Sequence, residues 1–300
     1  MNRTNRRLSR RQPGTSPRVA RPRRASPLRP SCPPCDAFLK DSGQGLSSGE
    51  KARAAAQSRE AATIRSPVPR EAPITSVRRA TPTTRIVRVR VGKDFVYKAG
   101  HAMELGPAGA KVLTPYSIAS APEDTAHDGH IEFLIRIHAH GRWGVNYQFD
   151  LPQRGQRLRI SGPLGRFTFP DAPQGRRFLF IAGGTGISPI RSMIRHAREI
   201  PTAKLCLLYS ARTPLDFAYR QELCGMARRG EIDLTLTATR DASIRWRGER
   251  GRITRAQLAS LVDDTATLCF VCGPIAMVDE VPRMLQEIGI DRRRIRIEEW

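Results

Sequence analysis

A glycine-rich turn joins an apolar run to a helical segment in the second half of the chain. Gly183, Gly184, Thr185 and Gly186 follow the run, and the helical segment carries Pro189 in its first turn. Glycines at such a point let the backbone approach a phosphate, and the free N–H groups of a helix N-terminus carry partial positive charge. Thr185 adds a hydroxyl donor. The turn departs from GxGxxG, so a tight strand–helix turn without a ligand is the alternative interpretation.

A second candidate site lies in the segment TPYSIAS, which contains Tyr116, Ser117 and Ile118. Adjacent strand residues point to opposite faces unless the strand kinks. With a kink, the Tyr116 ring could pack on an aromatic ring system while the Ser117 hydroxyl lies near the reactive edge of that ring. An ordinary strand with an edge tyrosine is the alternative.

The turn GPLGRF, residues 162–167, combines glycine and proline with one arginine. Its backbone N–H groups and the Arg166 side chain could hold a pyrophosphate. A turn that merely closes a barrel is the alternative. The candidate binding residues of this turn are Gly162, Pro163, Gly165, Arg166 and Phe167.

Cys272, Gly273 and Pro274 end another apolar run. Ligands of a doubly wound sheet bind at the carboxyl ends of its strands, so this position predicts that the Cys272 thiol lies at the cleft. A buried structural cysteine is the alternative. Near the last residue, Glu298 offers a carboxylate, and Trp300 combines an aromatic ring with the terminal carboxylate.

Two kinds of hydrophobic pattern predict the elements that position these candidate residues. Short alternating runs separated by Gly/Pro turns precede residue 173 and are typical of a small antiparallel β-barrel. Continuous apolar runs that alternate with helical segments follow it and indicate parallel βαβ units in a doubly wound sheet. We predict barrel strands at 84–91, 95–105, 115–120, 130–138 and 156–162, later strands at 177–184, 204–210, 232–239, 267–274 and 293–300, and helices at 187–200, 214–229, 253–262 and 275–289.

The predicted organisation is a disordered basic tail over 1–80, a β-barrel domain over 81–172 and a doubly wound α/β domain over 173–300. The tail holds 18 of the 51 Lys/Arg and five of the 28 Asp/Glu, so it carries over half of the net charge of +23. Its Arg- and Ser-rich composition is similar to an organellar transit peptide, but seven prolines between Pro13 and Pro34 oppose an amphipathic helix. A start codon placed too far upstream would also produce such a tail.

The composition argues against a membrane-spanning, secreted, metal-binding or nucleic-acid-binding protein. No apolar run reaches the length of a membrane-spanning helix, and the first 60 residues contain no secretory signal core. The six cysteines do not have iron–sulfur spacing, so we expect neither a cluster nor another metal site. The tail has no aromatic residue before Phe38, which makes nucleic-acid binding through stacking an unfavoured alternative. We predict a cytoplasmic protein.

The order of the motifs resembles the ferredoxin–NADP⁺ reductase family. A YS pair, a GPxGxF turn, a GGTGxxP turn and CGP follow one another at steps of about 45, 20 and 90 residues, and the resemblance covers about residues 84–300. It implies an FAD-binding barrel followed by an NAD(P)-binding domain. The implied activity is electron transfer between NAD(P)H and a protein acceptor, such as a ferredoxin or flavodoxin, through FAD.

The resemblance also assigns roles to the candidate residues. Tyr116 would pack on the isoalloxazine, with Ser117 near the flavin N5 and residues 162–167 on the FAD pyrophosphate. Residues 183–189 would bind the pyrophosphate of the nicotinamide nucleotide, with Cys272 beside the nicotinamide C4. Glu298 matches an acidic residue that supplies protons, and Trp300 matches a terminal aromatic that covers the flavin. The predicted catalytic set is therefore Ser117, Cys272, Glu298 and Trp300.

Coenzyme choice and activity leave alternatives open. Thr239 and Arg240 follow the strand where the family contacts the 2′-phosphate, which favours NADPH over NADH. Thr114 stands where the family has an arginine for the FAD phosphate, and Lys111, Arg136 and Arg166 are candidates to replace it. An NADH-dependent reductase component of an oxygenase and a non-catalytic electron-transfer subunit are the alternatives.

Overall fold

The computed structural model describes residues 68–138, 141–144, 149–240 and 245–299. The predictions for residues 1–67 and for Trp300 therefore lie outside the described residues.

The first six strands form an antiparallel sheet in the order β4-β3-β6-β1-β2-β5. An isolated bridge between Ile118 and Phe133 links the end of β4 to β5 and brings the two edges of the sheet together. Alternate β5 residues, Ile131, Phe133 and Ile135, are buried in the barrel core, because successive strand residues point to opposite faces. The strands are β1 (Arg70–Thr81), β2 (Thr84–Arg90), β3 (Ala102–Pro107), β4 (Thr114–Ser117), β5 (His130–Arg136) and β6 (Arg157–Leu164).

Strand β1 corrects the predicted start of the barrel. The sequence assigned residues up to 80 to the tail, but β1 begins at Arg70 and pairs with both β2 and β6. Ala72 and Ile74 are buried in the core, whereas Arg78 and Arg79 are exposed. The arginines on the outer face concealed the apolar inner face from a composition-based boundary.

The segment between β2 and β3 is also different from the prediction. The predicted strand 95–105 begins only at Ala102, because the chain turns at residues 98–101, where the His101 N–H donates to the Lys98 carbonyl at 3.0 Å. Tyr97 is buried here, and its hydroxyl donates to the Ser120 carbonyl at 3.0 Å and lies 2.9 Å from Thr125 Oγ1. Thr125 belongs to a short helix that the sequence did not predict, α1 (Pro122–Asp128).

The remaining six strands form a parallel sheet in the order β10-β9-β8-β7-β11-β12. Helices cover both faces, which confirms the predicted doubly wound fold. The strands are β7 (Arg177–Gly183), β8 (Lys204–Ala211), β9 (Asp233–Ala238), β10 (Glu249–Arg250), β11 (Leu268–Gly273) and β12 (Ile295–Glu299), and the helices are α2 (Ile187–Ala197), α3 (Arg220–Arg228), α4 (Arg255–Leu261) and α5 (Ile275–Glu287).

One predicted helix is broken. The sequence pattern over 214–229 suggested a continuous helix, but the structure has a 3-10 turn at Pro214–Asp216 and α3 begins only at Arg220. Between them Tyr219 adopts a left-handed conformation with φ 57°. Within the described residues, no helix is both long and apolar enough to cross a lipid bilayer.

We predict that Tyr97→Phe lowers the free energy of unfolding by about 1–2 kcal/mol, because it removes a buried hydroxyl and its hydrogen bonds. Urea denaturation of the full chain measures the change as a lower midpoint with an unchanged slope. Val96→Ala is the matched control, because Val96 is next to Tyr97 in the chain and its own side chain is 82% exposed. An unchanged midpoint in Tyr97→Phe would contradict the role of this hydroxyl.

Candidate functional site

The direction of chain progression reverses between β7 and β11. Strands β8, β9 and β10 extend the sheet on one side of β7, and β12 extends it beyond β11 on the other side. Ligands of open α/β sheets bind at the carboxyl ends of strands at such a point. The GGTG turn starts at the last residue of β7, and the CGP motif begins with the last two residues of β11, so the fold brings together two motifs that are far apart in sequence.

Steric packing fixes the two turns against each other. A methyl group at Gly186 would overlap the carbonyl oxygen of Cys272, and one at Gly273 would meet the backbone of Gly183 at 3.2 Å. Gly184 differs, because it has φ 56°, is exposed, and has no atom within 4 Å of the place where a Cβ would lie. Two glycines thus permit close packing, and Gly184 presents bare backbone to the cleft.

Side chains beneath the turn hold its backbone. The buried Tyr209 hydroxyl donates to the Gly184 carbonyl at 3.0 Å and accepts from the Ala218 N–H at 3.2 Å. Ser188 Oγ donates to the Thr185 carbonyl at 3.0 Å. Both carbonyls of the turn are therefore bonded to groups within the protein, and the start of the following helix is a favourable place for an anion.

The YS pair occupies the end of β4. Ser117 pairs with Ala102 of β3, and its buried Oγ has no hydrogen-bond partner among the described residues. Buried hydroxyls normally have a partner, so this atom is a candidate contact for a ligand. Ile118, next along the chain, is fully buried in the barrel core.

Tyr116 packs against an aromatic side chain that the sequence analysis did not select. Its ring centroid lies 5.7 Å from that of Trp143, which also packs on Phe149 at 5.1 Å. Burial raises the pKa of Tyr116 to about 12, although a hydrogen bond with the Gly144 backbone acts in the opposite direction. The phenol is therefore neutral at physiological pH.

The GPLGRF turn extends from the end of β6 toward the α/β domain. Gly162 has φ 135° and lies against Met103 and Ala102, and Gly165 has φ 100° with open space around it. Arg166 is exposed. The turn is thus open on the side that carries the arginine.

Phe167 connects this turn to the parallel sheet. It is buried, and its ring lies edge-on to that of Phe270 in β11 at 6.1 Å. The barrel turn is consequently anchored on β11, the strand that contains Cys272.

Cys272 requires a correction. Its side chain is fully buried in the core between the sheet, α2 and the barrel, so the thiol lies beneath the cleft surface rather than at it. The backbone of Gly186 packs closely on the Cys272 carbonyl. Glu298 stands beside Cys272 in the register of β11 and β12 and is half-buried. Trp300, the remaining predicted catalytic residue, lies outside the described residues.

The candidate coenzyme-selecting residues lie at the carboxyl ends of β8 and β9. The Thr239 N–H donates to the Ala211 carbonyl at 2.9 Å, and the Arg240 N–H donates to the Arg212 carbonyl at 2.8 Å. Both arginine side chains are exposed. Because the backbone bonds keep the two arginines side by side, this corner of the cleft presents a concentrated positive charge.

Sequence reasoning missed two polar residues of α2. Arg191 is 8% exposed and Ser192 is fully buried, and both contact the barrel. The sequence did contain a sign that Arg191 is buried, because Arg191 follows Ile187 by four positions and therefore falls on the apolar stripe of the helix. A charge on a buried face indicates a specific partner.

The residues of both turns are compatible with the groups that the sequence resemblance implies. An unpartnered buried hydroxyl at Ser117 and an open glycine turn at 162–167 suit a flavin with its pyrophosphate. Exposed Gly184 at the start of α2 suits a second pyrophosphate.

Comparison with known proteins agrees with this arrangement. Residues 71–169 match the model of the oxidoreductase FAD-binding domain, and residues 180–283 match that of the oxidoreductase NAD-binding domain. Among solved structures, a ferredoxin reductase in carbazole 1,9a-dioxygenase has a TM-score of 0.67 and 26% identity, over 77% of this chain and 69% of that chain.

Two curated relatives extend the comparison. Ferredoxin–NADP reductase B of Sorangium cellulosum is 34% identical over 247 residues, which are 77% of this chain and 98% of the relative. The glycine betaine monooxygenase reductase subunit of Pseudomonas aeruginosa is 31% identical over 67% of this chain, which spans only 55% of that subunit. The chain therefore belongs to the ferredoxin–NADP⁺ reductase family and is an FAD-dependent NAD(P)H oxidoreductase built from an FAD-binding barrel and an NAD(P)-binding domain.

Proposed function

We propose that the chain takes electrons from NADPH and passes them through FAD to a small one-electron carrier protein of the ferredoxin or flavodoxin type. The observation that carries the proposal is the convergence of the GGTG turn and the CGP turn at the switch point of the parallel sheet, beside the barrel turn anchored through Phe167. The GGTG turn and the barrel turn at 162–167 are the two proposed phosphate-binding turns. Their position at one cleft suits two bound nucleotides whose reactive rings meet.

The barrel residues are proposed to hold FAD. Residues 162–167 bind its pyrophosphate, with Arg166 supplying the charge that Thr114 does not. Tyr116 and Ile118 support the ring system, and Ser117 donates or accepts a hydrogen bond at its reactive edge. Bound FAD supplies the capacity to accept two electrons from a nicotinamide and release them one at a time.

The α/β residues are proposed to hold the nicotinamide nucleotide. The N–H groups of residues 183–186 bind its pyrophosphate, Pro189 lies in the first turn of the supporting helix, and Gly273 and Pro274 shape the opposite wall. Cys272 lies beneath the cleft surface, where its backbone and its buried thiol support the nicotinamide site. Glu298 and Trp300 complete the junction, with the carboxyl group of Glu298 as the proton source.

NADPH is the proposed coenzyme because Arg240 and Arg212 concentrate positive charge at the ends of β8 and β9. An extra phosphate is bound best by such charge-assisted hydrogen bonds. The second candidate is an NADH-dependent reductase component of an oxygenase, which the similarity to the Pseudomonas monooxygenase reductase subunit favours. Steady-state rates with the two coenzymes distinguish the candidates.

A cytoplasmic location is proposed with the enzyme. Within the described part of the chain no disulfide links the cysteines, as expected in a reducing compartment.

We expect the purified full-length protein to show a flavin absorbance band that bleaches on anaerobic addition of NADPH. Reoxidation by an added ferredoxin or flavodoxin then tests the acceptor class. A colourless protein that stays colourless with added FAD would contradict the proposed function and favour a non-catalytic subunit.

We predict that Arg240→Ala raises the KM for NADPH by about tenfold or more, because one charge-assisted contact to the 2′-phosphate is lost. The KM for NADH should change little. Arg228→Ala, which removes an exposed arginine at the last residue of α3, is the control. Equal changes for both coenzymes would contradict the assignment.

We predict that Gly186→Ala abolishes binding of NADP⁺, because the added methyl group overlaps the Cys272 carbonyl and forces the two turns apart. Isothermal titration with NADP⁺ measures the loss, and the flavin content reports the barrel separately. Gly225→Ala in α3 is the control, since its methyl group would meet only flexible arginine side chains. Unchanged NADP⁺ affinity in Gly186→Ala would show that this turn is not the binding site.

A further inference from the structure

Arg191 crosses from the α/β domain into the barrel. It lies in the middle of α2, and its Nη1 donates to the Ala119 carbonyl at 2.6 Å and lies 3.3 Å from Glu132 Oε1. On its other side, Nε donates to Glu222 Oε2 of α3 at 2.9 Å. One guanidinium therefore joins the segment after β4, strand β5 and helix α3.

The neighbouring residues of α2 make parallel contacts. Ser192 Oγ donates to the Ser120 carbonyl at 2.7 Å. Arg195 donates to both carboxylate oxygens of Asp124 in α1, at 2.5 and 2.7 Å, and to Glu222 at 2.8 Å. The buried face of α2 is thus bonded to two successive backbone carbonyls of the barrel and to the helix that follows them.

These contacts connect the end of β4, with its candidate flavin-site residues, to the GGTG turn. Ala119 and Ser120 directly follow residues 116–118, and the Ala119 N–H donates to the Glu132 carbonyl at 2.7 Å where the barrel closes. Helix α2 begins immediately after the GGTG turn. The helix that presents the nicotinamide-nucleotide turn therefore also holds the strand end that faces the flavin site.

The surroundings keep Arg191 charged and in one orientation. Burial acts to lower its pKa, but Tyr219 and the carboxylates of Glu222 and Glu132 outweigh burial and raise it. The guanidinium lies 4.3 Å from the Tyr219 ring centroid, and Tyr219 is itself fixed in the left-handed conformation. A planar group with several fixed donors defines distance and angle more sharply than apolar packing of similar stability.

We propose that Arg191 and Ser192 are positioning residues that set the distance and angle between the nicotinamide and the flavin ring. They contact neither cofactor site directly but fix α2 against residues 119 and 120. The proposal rests on the assigned NAD(P)H–FAD electron transfer, because only in that reaction does the alignment of the nicotinamide and flavin sites determine the rate.

Full-length holoprotein with Arg191→Gln, Arg191→Lys or Ser192→Ala tests this proposal by stopped-flow spectroscopy. Flavin reduction at saturating NADPH should slow by about ten- to a hundredfold in Arg191→Gln, with smaller losses in the other two variants. The charge-transfer absorbance between nicotinamide and flavin should weaken in parallel. Flavin content and Kd for NADP⁺ should stay within about twofold of the parent, since the binding turns are intact.

Arg198→Gln is the matched control, because Arg198 follows α2 directly and pairs with Glu231 inside the same domain at 2.9 Å. A second readout does not depend on catalysis. Hydrogen–deuterium exchange of residues 117–121 in the flavin-free protein should accelerate in the Arg191 and Ser192 variants but not in Arg198→Gln.

Unchanged flavin reduction in the folded variants would overturn the proposal, and so would losses of flavin content and NADP⁺ affinity as large as the loss of rate. If Arg191→Gln does not fold, Arg191→Lys and Ser192→Ala carry the same test. A parent protein that NADPH does not reduce would overturn the proposed function instead. In that case the exchange measurement still tests whether α2 fixes residues 117–121.

Discussion

The close contact between the backbone of Gly186 and the carbonyl of Cys272 is the constraint on which the rest of the site depends. It allows the ends of β7 and β11 to meet at the switch point, and a single methyl group between them would prevent this. Close to this contact the Cys272 side chain is fully buried and Gly184 is exposed. The ends of the two strands thus combine a covered cysteine with an open glycine turn.

The barrel is joined to this centre by apolar and polar contacts that have different roles. Phe167, Phe169 and Phe270 form a continuous aromatic core across the domain boundary, which stabilises the association without selecting a single orientation. The arginines of α2 define the relative orientation of the two domains, because they donate hydrogen bonds to specific oxygens of the barrel domain. Electron transfer between two bound nucleotides needs both a stable and a defined orientation.

Much of the fold was predictable because its hydrophobic periods are regular. The alternation in β5 and the continuous apolar runs of β7, β8 and β11 identified the barrel and the parallel sheet, and the ordered motifs identified the family. Prediction failed where long-range contacts overrode local pattern. The arginines on the outer face of β1 hid its buried face, the buried Tyr97 hydroxyl occupies a segment expected to be strand, and the left-handed Tyr219 interrupts an expected helix.

Residue types at fixed spacing were enough to predict the order of the elements, the family and the glycine turns. Which side chains face the cleft depended on the three-dimensional fold. The fold buried Cys272, left Ser117 Oγ without a partner among the described residues, and made Arg191, a residue not selected from the sequence, a link between domains. The physical reason is that exposure and hydrogen bonding are set by neighbours distant along the chain, such as Ala119 for Arg191, and local sequence does not encode their distances.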